Sequence, residues 1–213
     1  FWNFEVTAPF SYAESQDPLA EREGVFLDGR GTAWSPDAYF KLNFRPLKDP
    51  ERWLLTSSLR ANTTLLTYGG NVTGDLGGAP WRRFSLDPRF ATRFKVSDSV
   101  VLKGSSGLYH QPAQPFEAVG IGTDVTLKYE RAWNSSFGIE HQIFPYLQWD
   151  LELFYRDLDQ LIVFSEAYQG FGDQSFVNSG IGRAYGLEVI LRHQPNNRFF
   201  GWISYTLSRS ERR

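Results

Sequence analysis

An all-β fold, an antiparallel up-and-down sheet of about eight to ten strands, is what this 213-residue sequence predicts. Three observations point to it. Hydrophobicity alternates with a period of two along one run after another, the signature of a strand with one apolar and one polar face. The connections alternate between short and long, as they do when strands run up and down in chain order. No convincing amphipathic helix interrupts the pattern. The most helical-looking piece, DPLAEREGVF at 17–26, has a capping-type Asp17 but only a short apolar pattern.

The strand-like runs fall at 33–45, 53–68, 84–96, 99–109, 129–143, 147–164, 182–193 and 199–210, with room for one or two more in 1–32. In the first, Phe40, Leu42 and Phe44 oppose Tyr39, Lys41, Asn43 and Arg45. In the second, Trp53, Leu55, Leu59 and Ala61 oppose Thr56, Ser58, Arg60 and Asn62. In the third, Phe90, Phe94 and Val96 oppose Arg89, Arg93 and Lys95. Trp133, Phe137, Ile139 and Ile143 stand against Asn134, Ser136, Glu140 and Gln142, with His141 off pattern. Leu147, Trp149, Leu151, Leu153 and Tyr155 stand against Gln148, Asp150, Glu152 and Arg156. Val101, Phe154 and Ile190 break the rule on the polar side.

The short connections are PLKDPER, SD, FPY and QPNNR. The long ones are 69–83, 110–128 and 165–181, rich in Gly and Pro. One end of the sheet is therefore expected to carry tight turns and the other large loops, the asymmetry of a membrane β-barrel. The run 84–96 extends about 43 Å at roughly 3.3 Å per residue. Tilted by about 40°, it covers about 33 Å, enough for an apolar band about 25 Å tall. Trp53, Phe144, Tyr146, Trp149, Phe199 and Phe200 gather beside the short turns, where an interfacial girdle belongs.

Composition agrees. A mean hydropathy of −0.38 beside 18 Phe, 10 Tyr and 7 Trp suits strands with half their residues in water. No apolar run approaches the roughly 20 residues of a transmembrane helix. A net charge of −2 gives no electrostatic case for nucleic acid. The absence of cysteine excludes thiol chemistry and cysteine-ligated metal. The chain lacks an initiator Met and a charged-then-apolar leader, so processing or membership in a longer chain is expected.

Four blocks carry a family resemblance. The stretch SLDPRFATRFKVSDSVVLKGSSGLYHQPAQPFE (85–117) resembles the barrel region of TonB-dependent outer-membrane receptors. LKYERAWNSSFGIEHQI (127–143) is similar to that family's L-K-P-E strand opening, with Tyr129 where Pro is usual. GRAYGLEVILRH (182–193) and GWISYTLSRSE (201–211) resemble two further strands of the family. The resemblance implies a portion of a larger, 22-stranded barrel spanning 1–213, with no plug domain or closing aromatic strand visible. It implies import of a scarce nutrient of the ferric siderophore, vitamin or glycan class. Its implied partners are outer-membrane lipid, a small ligand and, through a coupling box in the full chain, the inner-membrane TonB complex. A non-transporting barrel acting as scaffold or adhesin, and a soluble ligand-binding barrel, are the alternatives.

No catalytic constellation or cofactor motif emerges. His110, His141 and His193 lack metal-ligand spacing. GSSG at 104–107 falls mid-strand without a nucleophile elbow, and Asp157 and Asp159 read as a solvated strand end. Expected lumen-facing residues are Lys41, Arg45, Arg60, Arg89, Arg93, Lys95, Glu140, Asp150, Glu152, Arg156, Glu188 and Arg192. Expected lipid-facing residues are Phe40, Phe44, Leu55, Phe90, Phe94, Phe137, Ile139, Trp149, Leu151 and Leu153. Ligand capture by extracellular-loop residues is expected of Trp81, Tyr109, His110, Gln111, Phe116, Tyr168, Phe171 and Phe176.

Overall fold

Alternation of side chains along so many runs leaves each strand with one apolar face to cover, and here all of them share a single layer. In the computed structural model, which describes residues 2–10, 25–69, 81–114, 117, 127–167, 176–194 and 199–213, the strands form one ten-stranded sheet. They are β1 Trp2–Phe10, β2 Val25–Trp34, β3 Asp37–Phe44, β4 Trp53–Gly69, β5 Trp81–Lys95, β6 Val100–Gln111, β7 Glu130–Phe144, β8 Leu147–Phe164, β9 Phe176–His193 and β10 Gly201–Arg212. Every neighbouring pair is antiparallel. The order follows the chain, except that β2 and β3 both pair with β4.

That exception is a single strand with a break in it. Trp34 pairs with Leu65 and Asp37 with Asn62, one uninterrupted register. Pro36 has no N–H to donate, but its carbonyl still accepts from the Thr63 amide at 3.1 Å. The Ser35 and Thr64 hydroxyls meet at 3.0 Å beside the gap. The expected run 33–45 thus crosses the break.

Three boundaries differ from expectation. β9 begins at Phe176, inside the expected loop 165–181. β5 begins at Trp81, inside the expected loop 69–83. β6 continues to Gln111 because β7 supplies partners for its last residues, His110 with Arg131 and Gln111 with Glu130. Most of the helical-looking 17–26 lies outside the described residues, and Val25 and Phe26 open β2.

Register turns the alternation into rows. One apolar row runs Trp53, Phe94, Leu102, Ile139, Leu151, Val189, Tyr205 from β4 to β10. The next runs through Leu55, Thr92, Gly104, Phe137, Leu153, Leu187 and Leu207. Every residue expected to face lipid lies on this face. It is uncovered: Phe90, Phe137 and Leu153 are each about half exposed, at 48%, 49% and 50%. Between Leu147 and Tyr155 the face carries no charge over eight residue steps, about 26 Å of strand.

Aromatic rings border the apolar band at both ends. Beside the short turns, Phe144 stacks on Tyr146 at 5.7 Å, and His193 sits between Tyr146 and Phe199 at 5.1 Å from each. At the other end Tyr155 stacks on Tyr185 at 6.5 Å. Beyond them the same face turns ionic, with Arg131 bonded to Asp159 and Arg183 to Glu211. His141 lies on this apolar face, where its Nδ1 accepts from the Trp149 indole at 3.1 Å.

Candidate functional site: the charged face

The opposite face carries the strand residues expected to line a lumen, from Lys41 on β3 to Arg192 on β9, placed there by the register, while Arg45, just past β3, lines the cleft on the same side. At its centre five side chains of alternating sign bridge five strands. Arg93 donates to Glu140 at 2.8 Å. Lys103 lies 3.1 Å from Glu140 and 2.8 Å from Asp150. Asp150 then meets Arg192 at 3.5 Å and the Gln148 amide at 3.4 Å. Charge-assisted bonds in such a chain reinforce one another.

Two links skip a strand. Arg93 on β5 reaches β7, and Lys103 on β6 reaches β8. Glycine makes room for the second. A Cβ on Gly138 would sit 3.3 Å from Lys103 Cε and 2.9 Å from the Leu151 carbonyl. Lys103, the hub of the network, is absent from the sequence-based list of lumen residues. Its signal was the alternation of Val101, Lys103 and Ser105, masked by the apolar Val101 on the charged side. Val101 is buried, paired in register with Glu140.

Phe154 has a similar explanation. It pairs with Gly186, and a Cβ there would meet the Phe154 ring at 2.8 Å. The ring covers the glycine and carries the Arg156 guanidinium 5.5 Å from its centre. Toward the short turns the charged face opens into a cleft of about 640 Å³, lined by Arg45, Arg93, Lys95, Glu51, Glu140 and Gln148 among others.

A second cluster stands toward the long loops. Asp87, only 3% exposed, holds His110 Nδ1 at 2.7 Å and Arg89 at 3.4 Å. The Arg89 guanidinium lies 4.1 Å from the centre of the Tyr109 ring. It crosses Gly107, where any Cβ would stand 2.9 Å from Arg89 Cγ. Tyr129 is buried beside His110, and its hydroxyl donates to Asn62 at 3.2 Å and to the Arg83 carbonyl at 3.3 Å. Burial pushes this phenol's pKa up.

The capture residues expected on loops need correction. Tyr109, His110 and Gln111 are the last residues of β6, Trp81 opens β5 and Phe176 opens β9. They are strand ends, held by pairing with the neighbouring strand. Phe116, Tyr168 and Phe171 lie outside the described residues. Asp159 is bound to Arg131, and no group of three metal-ligating side chains occurs among the described residues.

A sheet with one uncovered apolar face and one ion-bridged face matches a known family model. The description TonB dependent receptor-like, beta-barrel, fits residues 2–213. The chain belongs to this family. No curated protein matches it. Among solved structures it is similar to the siderophore receptor PiuA from Acinetobacter baumannii, with a TM-score of 0.70, 16% identity, and 92% of this chain covering 28% of that one. It is also similar to the FrpB iron transporter (F3-3 variant) from Neisseria meningitidis, with a TM-score of 0.67, 14% identity, and 86% of this chain covering 26% of that one. The alcaligin receptor FauA from Bordetella pertussis gives a TM-score of 0.66 at 14% identity, with 87% of this chain covering 31% of that one. The chain therefore spans about a quarter to a third of these structures. As a TonB-dependent receptor barrel it is an outer-membrane protein of Gram-negative bacteria, which removes the soluble-barrel alternative.

Proposed function

We propose that this chain is part of the wall of an outer-membrane importer that takes up a scarce nutrient, of the ferric siderophore, vitamin or glycan class, with energy from the inner-membrane TonB complex. The observation that carries the reading is the division of one sheet into an uncharged band and an ion-bridged face. The uncharged band faces lipid, through residues such as Leu55, Phe137, Ile139 and Leu151. The ion-bridged face lines a hydrated interior and meets the plug, through Arg93, Glu140, Asp150 and Arg192. Both charge signs along the wall suit a hydrogen-bonded plug better than an ion-selective pore.

The Arg89, Tyr109 and His110 cluster stands where an incoming ligand from the long-loop side first meets the wall. Aromatic and guanidinium surfaces on a rigid support suit capture of an organic chelate. The proteins to which the chain is similar include ones described as an iron transporter, a ferric yersiniabactin uptake receptor, a siderophore receptor and a copper transporter, and this supports the reading at the level of class. The test is uptake in cells carrying or lacking the intact protein, with TonB present or deleted. Accumulation of a labelled ferric chelate that requires both supports import. Growth and uptake unchanged by loss of the protein, across chelates, vitamins and oligosaccharides, would favour a scaffold.

A further inference from the structure

The ladder between β5 and β6 stops short. It pairs Lys95 with Val101 and ends at Arg89 with Gly107, although β5 reaches back to Trp81 and β6 on to Gln111. Pro88, the next residue of β5, has no N–H to carry the ladder further. Beyond this point side chains join the two strands. By the pleat, His110 belongs with Ser106 and Leu108 on the apolar face, and Asp87 with Arg89 and Arg93 on the charged one. Yet His110 Nδ1 meets Asp87 at 2.7 Å. Side chains of opposite faces meet only where the two halves of the wall overlap, with the end of β6 on the charged side of β4 and β5.

The residues just before β7 complete the overlap. The Tyr129 hydroxyl reaches Asn62 on β4 at 3.2 Å and the Arg83 carbonyl on β5 at 3.3 Å. Arg83 Nε donates to the Leu127 carbonyl at 2.9 Å. From β9, the Asn178 side chain accepts from the Lys128 amide at 2.6 Å and donates to the Lys128 carbonyl at 3.1 Å. Residues 127–129 thus strap β4 and β5 to β9. Leu127 and Tyr129 are 3% and 5% exposed, and Thr64, Ser85 and Asp87 on the charged face of β4 and β5 are buried too. A sheet that is one layer elsewhere has two layers here. Tyr129 also stands where Pro is usual in the strand opening this chain resembles, and a proline could make neither of its bonds.

We propose that Tyr129 is a positioning residue for ligand capture. Its hydroxyl holds the ends of β6 and β7 behind β4 and β5, which presses His110 onto Asp87 and keeps the Arg89 guanidinium on the Tyr109 ring. The cluster is therefore set before a ligand arrives. This rests on the reading that Arg89, Tyr109 and His110 receive the ligand.

The experiment uses the intact protein in outer membranes. A benzophenone amino acid in place of Tyr129 is expected to cross-link to the peptides that hold Asn62 or Arg83. Cross-links to lipid or to β8 alone overturn the overlap. Tyr129→Phe keeps the ring and removes the donor. It is expected to speed diethyl pyrocarbonate modification of His110, read by peptide mass, about fivefold or more, together with amide exchange at 84–87. 4-Aminophenylalanine at 129 has N–H donors for both acceptors, and is expected to return both rates to within about twofold of the parent. A His110 rate unchanged in Tyr129→Phe, or still raised with 4-aminophenylalanine, overturns the positioning role, because the ring would then only fill space. None of these readings needs a ligand. If they hold in a protein that imports nothing, the capture role falls with the import reading and the strap stands; if they fail in a protein that imports, the positioning alone falls.

Discussion

The two faces of this sheet satisfy their polar groups over different distances. On the apolar face polar groups close over short distances, onto the adjacent strand or, as the Trp133 indole does with Ser135 at 3.2 Å, within their own strand. The Trp53 indole donates to Thr92 at 3.0 Å, Trp149 to His141 at 3.1 Å, and the Ser106 and Ser135 hydroxyls meet at 2.8 Å. On the charged face Arg93 and Lys103 reach past a strand to their carboxylates. A surface against hydrocarbon offers no water to complete a half-made bond, so its polar groups must close locally. A wet surface tolerates long reaches and leaves charge for something else to answer.

The comparison breaks most visibly if a charge is moved. Leu153→Arg, in the middle of the apolar band, is expected to cost about 2–4 kcal/mol in urea unfolding of the intact protein in lipid vesicles. Ser208→Arg, on the charged face of β10, is expected to cost under about 0.5 kcal/mol. Equal losses would mean that both faces meet the same solvent.

Next comes the ion network. Asp150 is only 9% exposed and serves Lys103, Arg192 and Gln148. Asp150→Asn keeps the shape and removes the charge that balances both cations, with an expected cost of about 2 kcal/mol in the same unfolding measurement.

A smaller effect sharpens the rule of local closure. Ser106→Ala leaves the Ser135 hydroxyl with only the Trp133 indole, at 3.2 Å, and is expected to cost about 1 kcal/mol. Adding Ser135→Ala should not recover it, because the Trp133 indole then loses its acceptor on the apolar face. On the charged face, Ser105 and Ser136 form the same pair at 2.9 Å, and water replaces the lost partner there. The same single and double exchange is expected to leave stability almost unchanged.

The smallest effect lies in the turn between β5 and β6. The hydrogen bond and charge of Lys95 hold the Asp98 carboxyl below its ordinary pKa. A depressed folded-state value means the contribution is present above the unfolded carboxylate's pKa and lost as pH falls through the folded one. Asp98 is fully exposed, so salt screens the pair. Asp98→Asn is expected to lower stability slightly at neutral pH and low salt, and to match the parent in acid or in high salt.

Much of this architecture was legible in the residues because a period of two fixes faces without knowledge of neighbours. The assignments of Phe94 against Arg93, and of Leu151 against Glu152, need only the pleat. What alternation could not carry was pairing. The start of β9 was obscured because β8 shifts register between Leu158 and Leu161 and again before Val163. There Gln160 takes a positive φ of 56° and its carbonyl accepts from Asn178 at 2.8 Å. The role of Lys103 depended on which strand Gly138 would lie beside. The Asp87 and His110 pair joins residues 23 apart, which no local pattern reveals.

The most direct test of the two-faced sheet is a nitroxide scan of positions 147–156 in the intact protein in lipid vesicles, one label at a time. These 213 residues contain no cysteine to compete with an introduced one. Odd positions are predicted to collide with oxygen dissolved in lipid and even positions with a polar nickel chelate. Position 154 is decisive, because Phe154 is apolar yet stands on the charged face. Chelate access at 154 with oxygen access at 153 and 155 is the predicted result. Oxygen access at 154, or no alternation along the strand, would contradict the account.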